Sequence, residues 1–116
     1  MDMINRGVAI IKPKQPFLAW LGGLPDPMDS SLNELRKDCT AILIPDSLDD
    51  IKANRYIQRM HQELFDAELA AWNLNIEDWP PDRDYAMFQT WFEIEFHSLV
   101  LDSINAPIQR EHYVAT

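Results

Sequence analysis

Four residues have the types from which a reactive site could be made: His61, Glu68, Glu95 and His97. Imidazole and carboxylate together can bind zinc or a pair of metal ions, or move a proton as general acid and base. With Ile57 at the zero of a helical wheel and about 100° per residue, His61 and Glu68 fall at roughly 40° and 20°, inside an apolar stripe and about two turns apart. A carboxylate in that position must be paired, neutralised or only half buried. Glu93, Glu95 and His97 would share one face of a strand, whereas a helix would make Glu93 and His97 neighbours at i, i+4. Neither spacing is specific to a metal, and the commoner use of such residues is a polar network that holds the fold. No metal ligand, catalytic residue or cofactor is assigned, and the four are a candidate buried polar cluster.

Aromatic residues are the second resource. Trp20, Trp72 and Trp91 recur at helical spacing with other apolar residues and read as core. Trp79 sits instead in a proline-rigid stretch with Glu77, Asp78, Asp82 and Asp84, a candidate interaction surface in which an indole rimmed by carboxylates would receive a basic protein. The competing reading folds Trp79 back over the end of the core.

The net charge of -9 is unevenly placed. Residues 1–45 hold five acids and five bases, and the remaining 14 acids face five bases in residues 46–116. That second half would repel nucleic-acid phosphate and anionic membrane, so neither is an expected direct partner. With only Gly7, Gly22 and Gly23, neither a P-loop nor a dinucleotide fingerprint can be written, and no G-x-S-x-G elbow is present. Cys39, the one cysteine, excludes an internal disulfide and reads as a small hydrophobe at the start of a strand. The apolar run Val8–Ile11 ends at Lys12 and Pro13, too short for a signal-peptide core or a membrane span, so a cytoplasmic location is expected.

The elements that must position these residues follow from periodicity. Leu48 to Trp72 carries the longest helical pattern, with Ile57, Met60, Leu64 and Phe65 on one side and Arg55, Arg59, Gln62, Glu63 and Asp66 on the other. Asp46 or Ser47 can cap it. Pro16 suits the first turn of a helix that stops at Gly22–Gly23, and Ser31 with Glu34 forms a capping box. Pro80 and Pro81 separate the long helix from another, capped by Asp82 and carrying Tyr85, Phe88, Trp91 and Phe92.

The predicted fold is α+β in a single domain over 1–116, with 1–6 and 108–116 flexible. Strands lie near 7–12, 40–44 and 96–102, and helices near 16–22, 31–37, 47–74 and 82–94 pack mainly on one face of the sheet. The first of these strands has apolar residues on both faces, as a strand buried on both sides or at a dimer contact would. The alternative is a mostly α protein in which a continued helix replaces the last strand. A sheet face without helices would need cover, which a homodimer supplies.

The runs R-G-V-A-I-I-K-P-K-Q-P-F-L, D-C-T-A-I-L-I-P and W-F-E-I-E-F-H-S resemble a group of small acidic bacterial proteins with no assigned function. The resemblance covers most of the chain and implies a bacterial, single-domain origin, but no activity, ligand or catalytic residue.

The function expected from these readings is a non-enzymatic, acidic interaction module that binds a basic partner. The alternatives are a small metal-binding protein or enzyme using the His/Glu cluster, and a mimic of nucleic-acid charge.

Overall fold

The computed structural model describes residues 1–46 and 49–113. Among these residues the architecture is α+β with ten elements: β1 (Asp2–Met3), β2 (Arg6–Pro13), α1 (Gln15–Gly22), α2 (Leu32–Leu35), β3 (Thr40–Pro45), α3 (Asp50–Ala70), a 3-10 turn (Ile76–Asp78), α4 (Tyr85–Trp91), β4 (Phe92–His97) and β5 (Leu101–Asp102).

The sheet is antiparallel in the order β3-β2-β4, with Ala9 opposite Ile42 on one side and Phe96 on the other. Side chains alternate between faces along a strand. In β2 the buried set is Gly7, Ala9, Ile11 and Pro13, while Arg6, Val8, Ile10 and Lys12 are half-buried. Only one face of the central strand is therefore fully covered, not both. Phe17 and Leu21 of α1, Ala53, Ile57, Leu64, Phe65 and Leu69 of α3, and Phe88 of α4 complete the core on that face. Phe65 joins the layers, with its ring 5.5 Å from Phe92 and 5.4 Å from Trp91.

Local signals explain most boundaries. Pro16 occupies the first turn of α1, and Ser31 Oγ accepts from the Glu34 amide at 3.2 Å as the capping box requires. Two caps differ from expectation. Asp49, not Asp46, caps α3 by accepting from the Lys52 amide at 2.8 Å, and Ser47, the other expected cap, lies outside the described residues with Leu48. Asp84, not Asp82, caps α4 by accepting from the Met87 amide at 2.8 Å. In both cases the carboxylate nearer the helix reaches the amide three residues on, in the first turn.

The third strand also starts earlier than expected, at Phe92. Phe92, Ile94 and Phe96 alternate with Glu93, Glu95 and His97, and this period of two wins over the helical spacing of the preceding aromatics as soon as β2 offers an edge. The range expected for the strand, 96–102, instead divides between the end of β4, a turn and β5. Asp2 and Met3, which carry no periodicity, pair with Asp102 and Leu101, and the Ile4 amide donates to the Val100 carbonyl at 3.0 Å. The last described residues, up to 113, form no helix or strand.

Candidate functional site

The four residues of the candidate polar cluster do not converge on one site, and of the four only Glu95 and His97 bind each other. His61 lies on α3 against α4, with its ring 5.6 Å from Tyr85 and 6.4 Å from Phe88, and its Nδ1 donates to the Gln58 carbonyl at 2.6 Å. Glu95 and His97 are on the opposite, outer face of the sheet, where Glu95 binds Lys12 and His97, each at 3.2 Å. The reason is the alternation of β4: Phe92, Ile94 and Phe96 take the inner face, so the residues between them must point out. Among the described residues, no group of three or more His, Cys, Asp or Glu converges as metal ligands would.

The outer face carries a charge network of its own. Arg36 pairs with Glu93, and its second nitrogen donates to the Pro13 carbonyl at 2.9 Å. The Arg36–Glu93 hydrogen bond holds the Glu93 carboxyl below the usual carboxylate range, and the His97 and Lys12 hydrogen bonds do the same for Glu95.

At Trp79 the competing reading holds, and the indole folds back over the end of the core. Trp79 is only 5 % exposed, and its Nε1 donates to the Asn73 carbonyl at 2.7 Å. Arg83 lies over the indole at 5.3 Å and binds Asp66 at 2.9 Å. Asp78 accepts from Asn73 at 3.0 Å and Asp84 is spent on the α4 cap, which leaves Glu77 and Asp82 as exposed acids without an aromatic anchor between them. The 3-10 turn at Ile76–Asp78 and the two prolines after Trp79 fold the indole inward, and a buried N–H with a carbonyl partner is stable there.

Trp72, not Trp79, is the indole that faces solvent. Helix α3 ends at Ala70, so Trp72 leaves the phase of the apolar stripe and stands 41 % exposed. It forms the wall between two adjoining clefts, of about 390 Å³ and 220 Å³, that share Leu35, Asp38 and Trp72. Asp29 and Glu34 line the larger cleft, Glu68, Thr40 and Cys39 the smaller, and neither lining includes a lysine or arginine.

Glu68 reaches this place from α3, half-buried, and burial pushes its carboxyl up while a hydrogen bond with Thr40 opposes the shift. Burial also raises the Cys39 thiol, whose sulfur donates to the Arg36 carbonyl at 3.4 Å, so it is not activated as a nucleophile. An indole face with four carboxylates around it can hold a cation by cation–π and charge-assisted contacts. Sequence reasoning had Glu68 as a polar member of an apolar stripe but placed Trp72 in the core. The helix expected near 47–74 stops at Ala70, and that earlier end turns Trp72 out of the stripe. Comparison with protein-family models, curated proteins and solved structures gives no match for this chain.

Proposed function

We propose that the chain is a non-catalytic interaction module that receives a lysine- or arginine-bearing segment of a partner protein in the groove at Trp72. The observation that carries this reading is the half-exposed indole of Trp72 between two clefts bounded by Asp29, Glu34, Asp38 and Glu68. A cationic side chain laid on the indole gains the ring quadrupole as well as the carboxylates, and the aliphatic stem covers Leu35. The test is calorimetric titration with a short lysine- and arginine-rich peptide at low and high salt. Binding is expected to weaken steeply with salt and to fall by about tenfold or more in Trp72→Ala, consistent with an aromatic anchor. Binding that is indifferent to this substitution, or no binding at low salt, would sink the proposal.

A homodimer is the second reading. Its support is the sheet: helices cover one face, while Ala41 and Leu43 on the other are exposed beside half-buried Val8 and Ile10. Analytical ultracentrifugation of the wild-type chain tests it, and a monomer at every concentration would dispose of it.

A further inference from the structure

We propose that two copies of the chain join edge to edge: their β3 strands pair antiparallel about a twofold axis, making one six-stranded sheet, and their α3 helices lie antiparallel across the same axis. The inference rests on the homodimer reading and places the contact at the β3 edge of the sheet rather than on its outer face.

The first observation is the contrast between the two edges of the sheet. The open edge strand β4 carries Glu93, Glu95 and His97 on its outer face, the kind of charge that blocks unwanted strand pairing. The other edge strand, β3, has the sequence TAILIP with no charge at all. A bare edge of this kind is a template for another strand. Pro45 cannot donate to a ladder, but it stands at the strand's end.

The second observation is on α3, independent of the strand. Its N-terminal half lies beside the end of β3, where Lys52, Arg55, Tyr56 and Arg59 form a cleft with Pro45. Its C-terminal half lies beside the start of β3, where Glu68 and Thr40 line one cleft. Helix and strand therefore run antiparallel, and the middle of β3 faces α3 near His61 and Gln62. A twofold axis beside the middle of β3, between the two paired strands, places Arg59 opposite Glu63 of the second copy, and Glu63 opposite its Arg59. Under the same operation Lys52 and Arg55 meet the small, half-exposed Ala70 and Ala67, over which their stems can lie.

The exposed side of α3 thus carries Lys52, Arg55 and Arg59 before the axis and Glu63 after it, and the Arg59–Glu63 pairing across the axis is made twice only in an antiparallel pair. Among the described residues Lys52, Arg55, Arg59 and Glu63 make no ion pair within the chain, and the Arg59 guanidinium rests on the Tyr56 ring at 5.6 Å. All four charges are exposed, so reversing one does not disturb the core.

The experiment is sedimentation velocity on the full chain, on Arg59→Glu, on Glu63→Arg, and on an equimolar mixture of the two variants. The wild type is expected to dimerise. Each variant alone sets like charges across the axis twice and should weaken self-association by about tenfold or more. The mixture should recover a dimer, because a heterodimer restores both opposite-charge contacts. A wild-type monomer at all concentrations would overturn the homodimer reading and this contact together. A wild-type dimer that persists equally in both variants would overturn this contact alone and return the interface to the outer face of the sheet.

Discussion

The indole Nε1 of Trp79 donates to the main-chain carbonyl of Asn73 at 2.7 Å, closing the segment after α3 over the end of the core. Trp20 reinforces the closure from α1, since its Nε1 donates to the Asp78 carbonyl at 2.9 Å. Truncating Trp79 removes packing and leaves the Asn73 carbonyl without its donor. Trp79→Ala should therefore cost about 3 to 5 kcal/mol in urea unfolding, as large core aromatics do. Trp72→Ala, at an exposed position, should stay within about 1 kcal/mol of the wild type. The reverse order would overturn the assignment of the two indoles.

Glu68 makes stability depend on pH in the unusual direction for a carboxylate. Its folded value is raised above the ordinary 4.5, chiefly by burial, so the folded state holds this proton more tightly than the unfolded chain. By linkage its contribution is most favourable below 4.5 and declines as pH rises through the folded value, after which the penalty is constant. Glu68→Gln should raise the unfolding midpoint at neutral pH and remove that part of the pH dependence. Equal loss of stability in Glu68→Gln at all pH values would show that the carboxylate is needed as a charge.

Glu93 and Glu95 behave oppositely. Arg36 holds Glu93 low, and His97 followed by Lys12 holds Glu95 low, so their stabilising effect is present above the ordinary carboxylate value and is lost as pH falls through the folded values. Carboxyl NMR titration should place both midpoints below 4.5, and His97→Ala should move Glu95 upward while leaving Glu93 nearly unchanged. Added salt should shrink these displacements because the groups face solvent.

The caps give a local test. Asp49→Ala and Asp84→Ala each remove a side-chain acceptor from a first-turn amide, at Lys52 and Met87 respectively, and should cost about 0.5 to 2 kcal/mol in chemical denaturation. Asp82→Ala, at an exposed position outside the cap, should cost less than about 0.5 kcal/mol.

The sequence by itself determined the α+β class, three of the strand and helix signals that build the core, the capping box at Ser31 and the stripe of α3. These are local: periodicity, prolines and cap chemistry act within a few residues. The alternation of Phe92, Ile94 and Phe96 with Glu93, Glu95 and His97 was equally local, but it competed with the helical spacing of Tyr85, Phe88 and Trp91, and only pairing with β2 decided between them. Tertiary structure alone decided which carboxylates and which indole share a surface. Three of the four acids at Trp72, namely Asp29, Glu34 and Asp38, come from the half of the chain whose charge sums to zero, so no tally along the sequence could find them. Likewise His61 and Glu68, on one side of α3, are parted by about two turns of its length, and Glu95 is parted from both because β4 turns it to the outer face of the sheet.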